Sequence, residues 1–336
     1  MKDVARYAGV STSTVSRVIN HYPYIRADVR ERVLHAATIL GYRTNAVAKS
    51  MRLGRSNSIG LVVRDMLSAN FAEICSSAEA VAEAKEYDLY VCNSNRGPDK
   101  ERRYIDSLLK RRVSGLIIFP VDQRIDNLDL AREDDTPVVL VGSSFAGVKA
   151  DCIDSCDASA AFEATQHLIE LGHSRIAILV WGHRIPTGEV RLAGFESAMA
   201  KAGHKADPAY IRYCGHDRER AMVETNNLLA MVPRPTALIV SAIDMLPGAL
   251  GAIRRSHAIS VPRDLSVIAF DDSPLADCFI PPLSVMKRDV GDIGAKAVEL
   301  LINRISNPSI PTVKAHVPFS LVQRASTAEP ITDSSQ

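Results

Sequence analysis

A chain of 336 residues is long enough for two or three ordinary domains. Its composition, 46% hydrophobic and 24% charged, excludes a disordered or collagen-like chain, and its apolar runs are shorter than the roughly 18 residues that a membrane helix needs. The opening residues, MKDVARYAGV, are polar and charged, and six cysteines are dispersed along the chain. We therefore expect a cytoplasmic protein with free thiols rather than a secreted or membrane protein.

The net charge of +1 hides an asymmetry along the chain. Residues 1–55 carry ten Lys/Arg and three Asp/Glu, a balance of +7, whereas the other 281 residues carry 30 basic and 36 acidic residues, a balance of −6. A small basic segment on a mildly acidic body is typical of a nucleic-acid-binding module attached to a second functional unit. The alternative is a chance cluster of surface charge.

Two short helices joined by a turn are predicted at the start of the basic segment. The first covers Asp3–Ala8 and ends at Gly9, a residue type that readily adopts the left-handed conformation found at helix ends. The second covers Thr12–Asn20, and a hydroxyl of Ser11 or Thr12 can cap it. Together they form a predicted helix-turn-helix, a motif whose second helix enters the major groove of DNA.

The apolar side chains of this segment recur at helical spacing and are expected to form its core, which contains Val4, Ala8, Val10, Val15, Val18 and Ile19. A third predicted helix, Ala27–Leu40, ends before Gly41, and its apolar side is made of Val29, Val33, Leu34, Ala37 and Leu40. Polar side chains of the second helix point away from the core. Arginine can donate two parallel hydrogen bonds to guanine, and hydroxyl groups can reach bases or phosphates, so this face suits DNA.

The motifs of this segment resemble those of the lac/gal repressor family of bacterial transcription regulators. The matching runs are Lys2-Asp3-Val4-Ala5, Ala8-Gly9-Val10-Ser11, Thr14–Asn20, Arg30–Val33 and Leu40-Gly41-Tyr42, and the resemblance continues to Leu321–Thr327. It implies that the second helix contacts bases through Thr12, Ser13 and Arg17. It also implies contacts to phosphates from Thr14, Ser16, Asn20 and Asn45, and further DNA contacts from Tyr42, Ala48, Met51 and Arg52.

Residues 45–58 are expected to form a hinge helix followed by a flexible linker. The run Asn45–Arg52 resembles the hinge helix of the family, and about two turns of helix are too short to be stable alone in water. We expect this segment to become helical when it packs on DNA and on the hinge of a second subunit, with Met51 inserted between base pairs in the minor groove. The alternative is an amphipathic linker without a DNA contact.

From residue 59 onward, strand-like apolar runs alternate with helical patterns. The predicted strands are Ile59–Val63, Leu89–Cys92, Leu116–Phe119, Val138–Val141, Arg175–Val180, Ala237–Val240 and Leu265–Phe270. This alternation predicts an α/β body of two doubly wound lobes, each a parallel sheet with helices on both faces. By resemblance, the two lobes are similar to each other, are crossed three times by the chain, and are arranged like a periplasmic sugar-binding protein.

Polar side chains that follow the strands are candidates for binding an effector, because open parallel sheets bind ligands beyond the carboxyl ends of their strands. By resemblance, Arg191 and Asp271 match the family's effector-binding arginine and acidic residue, and Phe71, Thr187 and His216 fall on family contact positions. The alternative is that these are ordinary polar groups at strand ends and helix starts. The full set of candidates is Arg64, Asp65, Phe71, Thr187, Arg191, His216 and Asp271.

Two departures from the family pattern fall at this predicted site. Arg64 stands where the family often has proline, and Ala242-Ile243 stand where it usually has Asn-Asp, with Asp244 one place later. Pro247 is also unusual in the helix that follows. The added arginine and the missing amide favour an anionic effector, such as a sugar acid or a sugar phosphate.

Signatures of enzymes and metal sites are missing from the sequence. It contains no Walker phosphate loop, no Gly-x-Gly-x-x-Gly run, no nucleophile elbow and no His-Glu-x-x-His run. Cys152 and Cys156 lack a second pair of ligands at zinc-site spacing, so thiols in the core or at the surface are the better interpretation. We expect a protein that is not an enzyme and that needs no cofactor or metal.

The sequence therefore predicts a homodimeric, effector-responsive transcription regulator, in the first place a repressor. The predicted organisation is a helix-turn-helix head (1–44), a hinge and linker (45–58), a two-lobed body (59–327) and a polar tail (328–336). Its partners would be a near-palindromic operator in double-stranded DNA and a sugar, sugar acid or phosphosugar. The alternatives are a periplasmic-type solute-binding protein without DNA function and a doubly wound enzyme with an accessory helical domain.

Overall fold

The structure, a computed structural model, describes residues 1–19, 22–42, 56–121, 126–142, 149–182 and 186–331. The chain divides into two units, Met1–Ser56 and Asn57–Gln336. The first unit is helical and the second is α/β, as the sequence predicts. The division lies within the segment that the sequence assigns to the hinge and linker.

The described residues of the first unit, which we call the head, contain three helices: α1 (Lys2–Ala8), α2 (Thr12–Ile19) and α3 (Ala27–Ile39). Gly9 ends α1 with a left-handed φ of 64°, and Gly41 follows α3 with a φ of 57°. The hydroxyl of Ser11 accepts a hydrogen bond from the backbone N–H of Thr14 at 3.1 Å and so caps α2. The predicted helices and their end signals are therefore confirmed over the residues described.

The core of the head is narrower than the sequence predicts. Its fully buried side chains are Val4, Ala5, Ala8, Val15, Val18, Val33 and Ala36. Two predicted core residues of α3, Leu34 and Leu40, are instead 48% and 43% exposed. Because three short helices enclose only one stripe of α3, centred on Val33 and Ala36, apolar side chains beside that stripe remain at the surface.

The second unit alternates strands and helices along the chain. Its strands are β1 (Ser58–Val63), β2 (Asp88–Asn93), β3 (Gly115–Ile118), β4 (Val138–Val141), β5 (Asp151–Asp154), β6 (Ile176–Val180), β7 (Ile211–Tyr213), β8 (Ala237–Val240), β9 (Ser266–Phe270), β10 (Ser284–Lys287), β11 (Lys314–His316) and β12 (Ser320–Val322). Its helices are α4 (Ala69–Ala84), α5 (Pro98–Lys110), α6 (Asp126–Glu133), α7 (Asp157–Glu170), α8 (Pro186–Lys201), α9 (Arg218–Leu229), α10 (Leu246–Arg255), α11 (Pro274–Cys278) and α12 (Val290–Ser306).

Two six-stranded sheets divide this unit into two lobes. Lobe 1 has the strand order β11-β5-β4-β3-β1-β2, and all its pairs are parallel. Lobe 2 has the order β12-β10-β9-β8-β6-β7, and only the β10–β12 pair is antiparallel. Five strands follow the same order in both lobes, β2-β1-β3-β4-β5 and β7-β6-β8-β9-β10. The predicted architecture of two doubly wound lobes is confirmed.

Both faces of each sheet are buried under helices. In β1, Leu61 belongs to one apolar cluster and Val62 to the cluster on the opposite face. In β6, Leu179 and Ile178 divide in the same way between two clusters. Successive side chains of a strand point to opposite faces, so a strand that is buried on both faces needs an unbroken apolar run. This requirement explains why these strands are visible in the sequence.

Five strands are not among those that the sequence predicts: β5, β7, β10, β11 and β12. They are only three or four residues long, and most carry charged or hydroxyl side chains, as in the Asp-Cys-Ile-Asp run of β5. Pairing with a neighbouring strand supplies the hydrogen bonds that hold them in the sheet. A local apolar pattern is therefore not required, and none is present to reveal them.

The chain passes between the lobes three times, as the family resemblance implies. It leaves lobe 1 after β5 to begin α7, returns after β10 to begin α12, and crosses again between β11 and β12. The short connections lie at residues 155–156, 288–289 and 317–319. Side chains on these connections are placed where the two lobes face each other.

A buried histidine attaches the end of the chain to lobe 2. His173 is 1% exposed, and its Nδ1 lies 2.8 Å from the Thr236 hydroxyl while its Nε2 lies 2.9 Å from the carbonyl oxygen of Ala328. The backbone N–H of Ala328 donates to the Ser266 hydroxyl at 3.0 Å. Contacts with lobe 2 thus include Ala328, the first residue of the predicted polar tail.

Candidate functional sites: the second helix and the cleft between the lobes

Helix α2 presents a polar surface on the side away from the head's core. Thr12, Ser13 and Arg17 are exposed, whereas Val15 and Val18 are buried. The three residues predicted to contact bases therefore lie on an open face of the helix. A guanidinium and two hydroxyl groups are suited to the donors and acceptors at base edges in the major groove.

The other predicted DNA-contacting residues are less exposed than these three or lie outside the described residues. Thr14 and Ser16 are half-buried, and the Thr14 hydroxyl lies 2.9 Å from that of Ser11. Tyr42 is half-buried against the head's core, and its backbone N–H donates to Ala37 at 2.8 Å. The remaining predicted contacts lie outside the described residues and stay predictions: Asn20, Asn45, Ala48, Met51 and Arg52.

A cleft lies between the two lobes, at the carboxyl ends of both sheets. It contains about 670 Å³ of atom-free space, including its opening to solvent. Its walls come from the segments after β1, β2, β3, β4 and β5 in lobe 1 and after β6, β7, β8, β9 and β10 in lobe 2. This is where doubly wound sheets hold their ligands, and where the sequence places the effector.

The structure brings five of the seven predicted effector residues to the walls of the cleft: Arg64, Phe71, Thr187, His216 and Asp271. The other two, Asp65 and Arg191, do not line it. Asp65 turns towards Arg96, which does line the cleft, and Arg191 is completely enclosed by protein. These two predicted ligands therefore lie one layer behind the cleft surface.

Arg191 forms a sealed ion pair with Asp157. Its Nε donates to Asp157 Oδ1 at 2.7 Å, its Nη2 lies 2.6 Å from the same atom, and its Nη1 donates to the carbonyl of Ser241. The guanidinium also lies 4.2 Å from the centroid of the Phe270 ring. With these partners and 0% exposure, Arg191 lies behind the surface of the cleft, and its predicted contact with the effector stays a prediction.

The pair depends on a close approach of α8, which carries Arg191, to α7, which begins at Asp157. A Cβ atom at Gly194 would collide with the carbonyl oxygen of Ala158, so only glycine permits this spacing. Burial raises the pKa of Asp157, but the charges of Arg191 and Arg288 and the hydrogen bond from Ser155 outweigh it. The pKa of Asp157 is therefore below its usual range, and the carboxylate is ionised.

Arg96 joins the two lobes across the cleft. Its Nη2 donates to Asp65 Oδ2 in lobe 1 at 2.7 Å and to Asp244 Oδ2 in lobe 2 at 2.9 Å. His216 Nδ1 lies 3.4 Å from the same Asp244 oxygen, and the His216 ring lies 5.2 Å from that of Trp181. Although burial raises the pKa of Asp65, the Leu67 backbone N–H and Arg96 lower it below its ordinary value. A polar ligand entering the cleft would meet this bridge.

A second ion pair lies on the wall of the cleft, beside the connections between the lobes. Arg288, directly after β10, donates from Nε to Asp271 Oδ1 at 3.0 Å and lies 4.8 Å from the centroid of the Phe319 ring. Asp271 has a left-handed φ of 64°, which is uncommon for a residue with a side chain. Backbone strain of this kind is concentrated at functional sites, and here it directs a carboxylate at the end of β9 into the cleft.

Arg64 differs from the other arginines at the cleft. Its guanidinium lies 5.7 Å from the centroid of the Phe71 ring, yet it has no hydrogen-bond or ion-pair partner among the described residues. Burial lowers the pKa of Arg64 to about 10, with further lowering from the charges of Arg96, Arg288 and Arg191 and an opposing effect of Asp157. At neutral pH this side chain remains charged.

Three charged residues that form ion pairs at the site are absent from the sequence prediction: Arg96, Asp157 and Arg288. Arg96 follows a strand that was predicted, so the rule that polar residues after strands line the cleft could have found it. Asp157 and Arg288 follow β5 and β10, which carry no clear strand signal. Pro247, unusual for the middle of a helix, lies in the first turn of α10, where proline needs no N–H partner.

The six cysteines carry free thiols. Within the described ranges, no group of three or more His, Cys, Asp and Glu side chains is arranged to hold a metal ion. In that part of the chain, no helix is both long and apolar enough to cross a bilayer.

Comparison with known proteins agrees with this division into head and body. Residues 1–45 match the bacterial regulatory proteins of the lacI family, and residues 165–327 match the periplasmic binding protein-like domain. The chain is 34% identical to the HTH-type transcriptional repressor PurR of Haemophilus influenzae (strain PittEE), with 91% of each chain covered. It is 31% identical to the ribose operon repressor of H. influenzae (strain ATCC 51907 / DSM 11121 / KW20 / Rd), with 92% of each covered.

Solved structures show the same arrangement. A lac repressor dimer bound to operator and the anti-inducer ONPF has a TM-score of 0.87 and 28% identity, covering 97% of this chain and 98% of the other. A complex of the transcriptional regulator CelR with cellobiose has a TM-score of 0.73 and 26% identity over the same shares. On this evidence, the chain belongs to the lacI family of bacterial regulatory proteins and is a DNA-binding transcriptional regulator.

Proposed function

We propose that this protein is a cytoplasmic, homodimeric repressor that binds a near-palindromic operator through its head. A small-molecule effector in the cleft between the lobes controls its affinity for the operator. The observation that carries this proposal is the presence, in one chain, of a helix-turn-helix with an exposed polar second helix and a two-lobed body with a charged cleft. Each part alone is compatible with other functions, and the combination is typical of effector-controlled repressors.

The head supports the DNA-binding half of the proposal. The exposed Thr12, Ser13 and Arg17 of α2 offer hydroxyl and guanidinium groups for bases, while Ser16 and Thr14 lie nearer the core and suit phosphate contacts. The net charge of +7 over residues 1–55 adds attraction to the phosphate backbone that does not depend on sequence.

The body supports the effector half of the proposal. The cleft walls belong to two lobes joined by short connections, so a ligand that contacts both lobes can change their relative position. If that position governs operator binding, effector and operator must change each other's affinity by the same factor. The lac repressor and CelR structures, which hold ONPF and cellobiose respectively, are consistent with a ligand at this place.

A homodimer is supported by the exposed edge of lobe 1. Strand β2 is the last strand of its sheet, and its Tyr90 and Val91 side chains are 43% and 39% exposed. An unpaired strand edge with apolar side chains is a ready surface for another chain. Two heads in one dimer would contact the two half-sites of a near-palindromic operator.

The alternative classes are less well supported. A solute-binding protein without DNA function has no use for a folded helix-turn-helix with a polar recognition face. An enzyme would need reacting groups in the cleft, but most of the charged groups there are engaged in ion pairs with each other. A screen for turnover of cleft ligands would reveal an enzyme directly.

The test is selection of genomic fragments by the full-length protein at low salt, followed by affinity measurements on the recovered sites. Arg17→Ala should weaken binding to the best site by about 1–3 kcal/mol and relax the sequence preference at one position of each half-site. Arg32→Ala removes the same charge from an exposed position of α3 and serves as the control. It should weaken binding to all sequences alike.

Two results would contradict the proposal. One is a wild-type protein that recovers no fragment above background, with and without a metabolite extract. The other is an Arg17→Ala variant that retains both the affinity and the sequence preference of the wild type.

A further inference from the structure

The arginines at the cleft are unequal in their partners. Arg96 is paired with Asp65 and Asp244, Arg288 with Asp271, and the enclosed Arg191 with Asp157. Arg64 alone has no carboxylate within ion-pair distance among the described residues, although it lines the cleft between β1 and α4. The charge of Asp157 acts on Arg64 from beyond ion-pair distance, so no carboxylate of the described residues pairs with Arg64 directly.

The surroundings of Arg64 make the lack of a direct partner costly. The Arg64 side chain is half-buried beside the Phe71 ring; burial and the nearby cations Arg96, Arg288 and Arg191 disfavour its cationic form, whereas the charge of Asp157 favours it. A buried charge without a counter-charge destabilises a fold, whereas a charge-assisted hydrogen bond to an anion is among the stronger polar contacts. An anion in the cleft would relieve the repulsion and recover the desolvation cost.

A second donor in the cleft wall also lacks a partner. The indole of Trp181 lines the cleft, and its Nε1 atom is buried without a hydrogen-bond acceptor among the described residues. Buried polar groups usually find a partner. An acceptor-rich ligand supplies what both Arg64 and Trp181 lack.

The opposite wall has the complementary chemistry. Asp244 and Asp271 are carboxylates at the cleft surface of lobe 2, and Thr187 adds a hydroxyl. Carboxylate oxygens accept hydrogen bonds and suit the hydroxyl groups of a ligand, but they would repel a second anionic group. The cleft thus suits a molecule with an oxyanion at one end and hydroxyl groups at the other.

Resting on the proposed function, we propose that the effector is a small hydroxylated oxyanion, a sugar acid or a phosphosugar, whose carboxylate or phosphate pairs with Arg64. The fork of the guanidinium matches two oxygens of either group. A neutral sugar would leave Arg64 without a counter-charge.

The first experiment identifies the charge of the natural effector. A metabolite extract is separated on a strong anion exchanger, and each fraction is assayed for its effect on operator binding by the full-length protein. We expect activity in the retained fraction, and activity confined to the unretained fraction would overturn the inference. Treatment of the active fraction with alkaline phosphatase distinguishes the two sources, since it destroys a phosphosugar effector and leaves a sugar acid intact.

The second experiment tests Arg64 itself. Arg64→Gln should raise the concentration of active fraction needed for a response by about 10- to 100-fold, which is the usual effect of removing a charge-assisted hydrogen bond. Arg64→Lys should recover part of the response, and Arg103→Gln, at an exposed position of α5 in the same lobe, should respond as the wild type does. An Arg64→Gln variant with an unchanged response would overturn the assignment.

The third experiment needs no DNA, so it separates a failure of this inference from a failure of the proposed function. Inorganic phosphate and gluconate at 50 mM, compared with chloride at equal ionic strength, should raise the melting temperature of the wild type by about 2 °C or more. Arg64→Gln should show no such rise, and glucose should raise neither protein. If the anions raise neither protein, or both equally, the inference is wrong even where operator binding is normal.

Discussion

The two lobes share a strand order but line the cleft with different charged residues. Lobe 1 contributes the cations Arg64 and Arg96, whereas lobe 2 contributes the carboxylates Asp244 and Asp271 and, directly after β10, the cation Arg288. The shared order places the ends of equivalent strands at the cleft, and the residues that follow those ends differ. The comparison shows that the topology determines where the site lies, while single residues after the strands determine what it binds.

The lobes also differ in whether an arginine near the cleft has a carboxylate partner within its own lobe. In lobe 2, Arg191 is enclosed and carries its own counter-charge in Asp157. In lobe 1, Arg64 is half-buried and has no carboxylate within ion-pair distance among the described residues. Arg191 thus has its counter-charge within lobe 2, whereas Arg96 pairs with Asp244 across the cleft and Arg64, as we propose, pairs with the anion of the effector.

The largest effect is expected from removing the counter-charge in lobe 2. Asp157→Asn leaves Arg191 buried without a charged partner and should lower the free energy of unfolding by about 3–5 kcal/mol. Urea denaturation of the full-length protein measures this loss. Asp129→Asn, which breaks an exposed pair with Arg132 in lobe 1, is the control and should change stability by less than about 1 kcal/mol. If both variants lost the same small amount of unfolding free energy, the enclosed pair would contribute little to stability.

A smaller effect is expected for the contact that joins the lobes. A double-mutant cycle of Arg96→Gln and Asp244→Asn should give a coupling free energy of about 1 kcal/mol, because both side chains are partly shielded from water. The exposed pair Lys110–Asp106 within lobe 1 provides a matched cycle, and its coupling should be about 0.3 kcal/mol. A cross-lobe coupling no larger than that of the exposed pair would contradict an electrostatic bridge.

Mild acid should affect lobe 2 through His173. Burial lowers the pKa of this imidazole below its ordinary 6.5, the charge of His167 lowers it further, and a hydrogen bond to Ala328 opposes the shift. The unfolded chain therefore binds more protons than the folded chain once the pH falls below 6.5. The free energy of unfolding should then decrease by up to about 1.4 kcal/mol per pH unit between pH 6.5 and 5.

The single tryptophan, Trp181, follows β6 and reports on lobe 2, so denaturation followed by its fluorescence measures this dependence. His173→Gln should reduce the slope of stability against pH, whereas His257→Gln, at an exposed position, should leave it unchanged. An identical slope in all three proteins would exclude His173 as its source.

Much of the fold could be predicted because its signals are local. Gly9 and Gly41 end helices where the sequence indicates, and the central strands β1, β3, β6 and β8 are apolar runs buried on both faces. Leu34 and Leu40 were placed in the core wrongly, because the spacing of apolar residues on α3 does not reveal how much of the helix its neighbours can cover.

The cleft was predictable in outline and not in its details. The rule that polar residues follow strands identified Arg64 and Asp271, and the family resemblance identified Phe71; all three line the same cavity. The same rule could not show that Arg191 is enclosed, since enclosure depends on the aromatic rings around it and on the close approach of two helices at Gly194.

By itself the sequence determined the kinds of parts and their order, because helix ends, apolar periodicity and charge balance act over a few neighbouring residues. Only the tertiary structure decided which charges meet. Arg96 reaches Asp244, 148 residues away, and Arg304 reaches Asp151, 153 residues away, because the sheets bring distant strand ends and chain segments together. The spacing of residues along the chain does not indicate which distant side chains meet. Only the folded chain therefore shows the ion-pair partners of Arg96, Arg191 and Arg288. Only the folded chain also shows that Arg64 has no such partner among the described residues.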